Sequence, residues 1–226
     1  MLSAAYIDIP VATPRRIMQL LKRVLKYLKA TRIFGLVYRL HDAPPRRGLQ
    51  LQAFSDANHA NCPETSRSVT RYVTQLNGFS VGFRSKMQRS VTDDTCKSEL
   101  VASSMCVEDL LWARKLLEEL NFNLDITRLL MDNQSTIKVC SDAGNFDSVK
   151  RYAKKSRKLA ELVERNKLAI DYTSTADNVA DMLTKALGPQ QFKKLRGLLG
   201  VADVGAAASV GLTVAEGDNV KAVMEA

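Results

Sequence analysis

The chain has 226 residues, a formal net charge of +9, and 46% hydrophobic and 25% charged side chains. That balance describes a globular chain, since a disordered one would hold fewer apolar residues and a fibrous one would show a repeat. The length allows one sizeable domain with appendages or two small ones, and no apolar run approaches the ~20 residues of a bilayer span.

Four cysteines (Cys62, Cys96, Cys106, Cys140) are widely spaced without a C-x-x-C pair, and the histidines are His41 and His59 alone. The spacing argues against a zinc site and a disulfide framework, and the scarcity of histidine argues against most histidine-based catalysis. Reduced thiols, and an opening MLSAAYIDIP with an acid and no basic leader, point to an intracellular protein. Residues 1–50 carry a net +8 and residues 201–226 a net −3. A basic front half fits a polyanionic partner, most simply nucleic acid, and fits a solvated helix face equally well.

In chain order, Pro14–Arg32 is predicted to be a helix. Ile17, Leu20, Leu21, Val24, Leu25 and Leu28 recur at helical spacing, with Thr13 as N-cap before Pro14. Ile33–Leu40 reads as a strand, and the proline-rich HDAPPRRG as a connector and domain boundary. Leu49–Ser55, Ser68–Gln75 and Phe79–Lys86 are strand-like, and Asn77-Gly78 marks a hairpin between the last two. A long helix is predicted over Ser98–Leu120, a strand over Ile126–Met131 and a short helix over Gln134–Ser141. A basic helix over Lys150–Asn166, a strand over Leu168–Tyr172 and a helix over Asp177–Leu187 complete the pattern. An antiparallel start and a parallel finish predict a mixed α/β sheet. The expected organisation is an N-terminal basic segment at 1–47, a domain at 48–200 and a flexible, small-residue-rich tail at 201–226.

Four acids stand out. Asp56 is expected to close its strand and Asp132 follows another, so both fit one rim of a sheet, where ligands gather, or two ordinary turn caps. Glu99 lies within the apolar arc of its helix, at the first predicted turn, where a bare carboxylate must be paired, protonated or metal-bound. Asp181 shares a face with Asp177 at i, i+4, which alone reads as a solvated face. Together the four suggest a Mg²⁺ site, because magnesium prefers oxygen ligands and two such ions ~4 Å apart can serve phosphodiester cleavage.

Several stretches occur in one order and spacing: FSDANHANCPETSRSVTRYVTQLNG, TDDTCKSELVASSMCVEDLLWARKLLEELNF, LLMDNQSTIKV and YTSTADNVADMLTKALGPQQFKKLRGLLGV. With TPRRIMQLLKRVLKYLKATRIFGLVY before them, they resemble the ribonuclease H region of copia-type LTR retrotransposon Pol polyproteins, over residues 13–201. The N-terminal stretch resembles the end of the reverse transcriptase. The resemblance implies a ribonuclease H-like five-stranded mixed sheet with helices on both faces, plus an N-terminal basic helix. It implies metal-binding catalytic acids at Asp56, Glu99, Asp132 and Asp181, holding two Mg²⁺ ions for which Mn²⁺ can substitute. The implied reaction is endonucleolytic hydrolysis of the RNA strand of an RNA–DNA hybrid. Lys150, Arg151, Lys154, Lys155, Arg157 and Lys158 would grip phosphates, and the rest of a Pol polyprotein is the implied protein partner, in the cytoplasm or nucleus, with no membrane role. Asn58, His59 and the basic RYAKKSRK depart from the family pattern. Thr92–Thr95 (TDDT) lacks the apolar hairpin of a polymerase acid pair, so polymerase activity is not expected of this chain alone. The competing reading is a catalytically inactive remnant that binds nucleic acid.

Overall fold

The computed structural model describes residues 14–38, 48–141, 152–183, 185 and 187–209. In chain order the elements are α1 (Pro14–Ala30), β1 (Phe34–Leu36), β2 (Leu51–Asn58), β3 (Val69–Leu76), β4 (Phe79–Met87), α2 (Thr95–Glu119), β5 (Thr127–Met131), α3 (Gln134–Ser141) and α4 (Ala153–Glu164). After them come β6 (Leu168–Tyr172), a 3₁₀ turn (Val179–Leu183), α5 (Pro189–Leu198), β7 (Val201–Asp203) and α6 (Val204–Ser209). By contact the described residues fall into two units, one within 48–199 and one that joins 14–38 with 200–209.

The smaller unit pairs β1 with β7 in antiparallel register, Phe34 opposite Asp203 and Leu36 opposite Val201. Gly200 sits at φ +76°, a conformation that costs a glycine little, and its carbonyl accepts from the Val37 N–H at 2.9 Å. Residues 201–209 are therefore strand and helix where a flexible tail was expected; the remainder of that tail, 210–226, lies outside the described residues, as do Thr13 and the connector at 41–47. α1 follows the predicted stripe, although no residue of it is buried.

The larger unit is a five-stranded sheet in the order β4-β3-β2-β5-β6. β2–β3 and β3–β4 are antiparallel, and β2–β5 and β5–β6 are parallel. Helices cover both faces, so the predicted ribonuclease H-like mixed sheet is present. Asn77 (φ +50°) and Gly78 (φ +84°) make the β3–β4 turn, as the dipeptide predicted. The core joins Leu51 and Ala53 of β2, Tyr72 of β3 and Leu129 and Met131 of β5 to Leu100, Cys106, Val107 and Leu110 of α2. α2 begins one turn before its predicted start, because Asp94 caps it by accepting from the Lys97 N–H at 2.8 Å. Glu99 consequently stands in the second turn of the helix, not the first.

Candidate metal centre

The sheet and α2 bring three acids to one place. Asp56 is 2% exposed and Glu99 6% exposed. Asp56 lies inside β2, two residues before its end, because pairing with β3 continues to Asn58 opposite Val69. Glu99 is aimed at that strand, and its Oε1 accepts from the Ala57 N–H at 3.0 Å. Asp132 leaves the end of β5, where its Oδ2 accepts from Thr175 Oγ1 at 2.8 Å. One oxygen from each of these carboxylates lies within 4.8 Å of the others. They border an open cleft of about 440 Å³ together with Ala57, Thr95, Asn133, Gln134 and Lys185.

Thr175, which no local motif marks, supports Asp132, while the neighbouring Asn133 caps α3 by accepting from the Thr136 N–H at 3.0 Å.

The fourth acid is arranged differently. The predicted helix Asp177–Leu187 is, in the described residues, the 3₁₀ turn Val179–Leu183. Asn178 tightens the chain: its Oδ1 accepts from the Ala180 N–H at 3.2 Å, and its amide donates to the Ser55 carbonyl at 3.2 Å. That anchor draws Asp181 to 2% exposure, against its expected solvated face. Asp177 stays at the rim, with Ser174 Oγ and Lys194 Nζ each 2.6 Å away. Asp181 Oδ1 is 2.6 Å from Lys185 Nζ, and it falls outside the trio of convergent oxygens.

Arg71 was not foreseen in the sequence. It stands directly opposite Asp56 in the β2–β3 register, fully buried, with Nη1 2.7 Å from Asp56 Oδ2 and 3.9 Å from Asp181 Oδ1. The one signal available was a basic residue inside an otherwise apolar and threonine-rich strand run.

Burial, reinforced by the neighbouring Asp56 charge, pushes the Glu99 carboxyl well above the usual range. Burial also raises Asp181, to about 6, against the lowering effect of its Lys185 hydrogen bond. For Lys185 burial acts downward, and the contacts with Asp181 and Asp56 outweigh it, so its ammonium is held above the usual range. Glu99 Oε2 is buried without a hydrogen-bond donor. A site that leaves buried carboxylate oxygen unpartnered beside a second carboxylate fits a hard cation.

Of the predicted phosphate grips, Lys150 and Arg151 lie outside the described residues. The other four are on α4. Lys154 and Arg157 are exposed, Lys155 Nζ donates to Ser104 Oγ at 3.4 Å, and Lys158 pairs with Glu108 at 3.2 Å. Ser104 and Glu108 follow Glu99 along α2 by about 7.5 and 13.5 Å at the rise of an α-helix. Among the described residues no helix is long and apolar enough to cross a membrane.

No family model matches the chain. Over 180 residues it is 26% identical to the retrovirus-related Pol polyprotein from transposon TNT 1-94 of Nicotiana tabacum, covering 80% of this chain and 13% of that relative. The Pol polyprotein from transposon RE1 of Arabidopsis thaliana is 27% identical over 188 residues, 83% of this chain and 12% of the relative. The transposon Ty1-NL2 Gag-Pol polyprotein of Saccharomyces cerevisiae is 28% identical over 182 residues, 80% of this chain and 10% of the relative. The chain thus spans about an eighth of the length of the plant relatives it matches. Among solved structures, the ribonuclease H1 LC11 isolated from compost superposes with a TM-score of 0.47 at 17% identity, over 64% of this chain and 96% of that one. The motif order in the sequence and these relatives agree that the chain is related to a stretch of retrovirus-related Pol polyproteins from plant and yeast transposons.

Proposed function

We propose that the chain is a metal-dependent ribonuclease H that hydrolyses the RNA strand of an RNA–DNA hybrid. The observation carrying this reading is the convergence of Asp56, Glu99 and Asp132 from β2, α2 and the end of β5, with their oxygens within 4.8 Å. Unpartnered buried oxygen on Glu99 supports the fit to a divalent cation, Mg²⁺ or Mn²⁺. When bound, such an ion supplies Lewis-acid stabilisation of charge at the phosphoryl group.

The protein's own contribution is pre-organisation. The Ala57 N–H fixes one Glu99 oxygen and leaves the other buried without a donor. Thr175 holds Asp132 in its orientation, so the carboxylate does not swing into solvent. Asp181 and Lys185 form an ion pair beside the cleft, and with Asp181 raised to about 6 that pair can hold a proton near neutral pH. Lys154, Lys155, Arg157 and Lys158 on α4, with Lys150 and Arg151 before them, supply cations for the backbone of a hybrid read by shape and 2′-hydroxyls. The relatives are far longer polyproteins, so the rest of a Pol polyprotein is the natural partner, and the protein would work in the cytoplasm or nucleus.

The test is cleavage of an end-labelled RNA–DNA hybrid with Mg²⁺, with EDTA, and with Asp132→Asn. Metal-dependent cutting of the RNA strand alone, lost in the variant, is the expected result. A second reading, a remnant that binds hybrid without cutting it, is favoured by one observation: Arg71 and Lys185 already neutralise part of the acidic cluster. Binding with no cleavage at any metal concentration would establish that reading.

A further inference from the structure

The cations around the four acids are unevenly distributed. Arg71 Nη1 stands 2.7 Å from Asp56 Oδ2 and 3.9 Å from Asp181 Oδ1. Lys185 Nζ stands 2.6 Å from Asp181 Oδ1 and 3.8 Å from Asp56 Oδ2. Both basic groups therefore lie between the same two carboxylates. No ion pair among the described residues involves Glu99 or Asp132, each of which brings an oxygen within 4.8 Å of one of Asp56. The Arg71 guanidinium is fully buried, and none of its three nitrogens makes a hydrogen bond, so it acts there as a charge more than as a structural fork.

We propose that the cluster holds a single divalent cation, on Asp56, Glu99 and Asp132, and that Arg71 and Lys185 permanently occupy the position between Asp56 and Asp181 that a second ion would need. Asp181 is then the partner of Lys185 and not a metal ligand. The charge balance supports this division. Four carboxylates offset by two fixed cations leave two negative charges, which one divalent ion neutralises; a second ion would leave the buried cluster as positive as it had been negative. Exclusion needs both cations, since with either one replaced the cluster keeps three net negative charges, more than a single divalent ion neutralises. The inference rests on the metal-centre reading above and departs from the two-ion count that the sequence resemblance implies.

The test counts bound Mn²⁺ on the purified full chain without nucleic acid, from the loss of the free-ion paramagnetic resonance signal, with calorimetry for affinity. Circular dichroism checks the fold of each variant. Wild type should bind one Mn²⁺ per chain, and Asp132→Asn should bind it at least ten-fold more weakly. Lys185→Met, whose side chain is 36% exposed and can be replaced without emptying the core, should bind two. Arg71→Met should also bind two where it folds. Two ions on wild type, or one ion still on a folded Lys185→Met, overturns the inference and leaves the metal centre standing. No ion on wild type overturns the metal-centre reading and this inference with it.

Discussion

Replacing Glu99 by glutamine separates the cost of the acidic cluster from its use. The Gln oxygen can still accept from the Ala57 N–H, as Glu99 Oε1 does at 3.0 Å, and the new amide nitrogen replaces a buried oxygen that has no hydrogen-bond donor. The substitution also removes one charge from carboxylates whose oxygens lie within 4.8 Å. At that separation two like charges repel by about 3.5 kcal/mol at an effective dielectric of ~20. Arg71 offsets part of this, so a net gain of about 1–3 kcal/mol is expected for the metal-free protein. That corresponds to a melting temperature roughly 2–12 °C higher, at ~2–4 °C per kcal/mol for a domain of this size. Mg²⁺ should raise the melting point of wild type and leave the variant nearly unmoved, while hybrid cleavage collapses. Calorimetric melting in EDTA and in Mg²⁺, paired with the cleavage assay, reads all three. A variant that melts below wild type in EDTA, or one that cuts as well as wild type, refutes the reasoning.

Glu99 and Asp181 are both raised in the folded state, so the stability linked to them is present below the ordinary carboxylate range of about 4 and lost as pH rises through the raised values, about 6 for Asp181. Wild type in EDTA should therefore lose stability between pH ~4 and neutrality, Glu99→Gln should flatten that slope, and Mg²⁺ should reverse it at the neutral end. Asp132→Asn keeps an oxygen for the Thr175 hydroxyl, so stability should hold level or rise slightly while cleavage fails; retained cleavage would end the assignment of Asp132 as a ligand. Asp94→Ala removes the cap of α2 and should cost about 1 kcal/mol, read as a melting point lower by ~2–4 °C. Neutralising Lys154, Lys155 and Lys158 together should flatten the salt dependence of hybrid binding by up to ~3 counterions, fewer if the Lys158–Glu108 pair survives binding; an unchanged slope would show that α4 faces away from the substrate.

The elements that the sequence revealed are those with short-range causes. Asn77-Gly78 set the β3–β4 hairpin through residues tolerant of positive φ, and α3 and β6 matched their predicted bounds because period and flanking residues mark them locally. Asp56, Glu99 and Asp132 were legible as candidates because strand ends and an acid within an apolar helical arc are visible in one dimension. Their convergence now stands on geometry. Asp181 was legible only through the resemblance, since its own spacing pointed to solvent.

What the sequence by itself determined, then, was the order of strands and helices as far as β6, the hairpin and the set of acids worth watching, since each depends on periodicity and turn chemistry within a few residues. Tertiary structure alone decided the rest. Opposing Arg71 to Asp56 requires the β2–β3 register, and the loop between those strands carries no hairpin signature. Burying Asp181 requires Asn178 to reach the Ser55 carbonyl, 123 residues away in sequence. Turning residues 201–203 from an expected tail into a strand requires Phe34–Leu36 as a partner. Each of these is a pairing between distant segments, whose register and depth are chosen by packing and hydrogen-bond satisfaction across the whole sheet, and no local pattern encodes that choice.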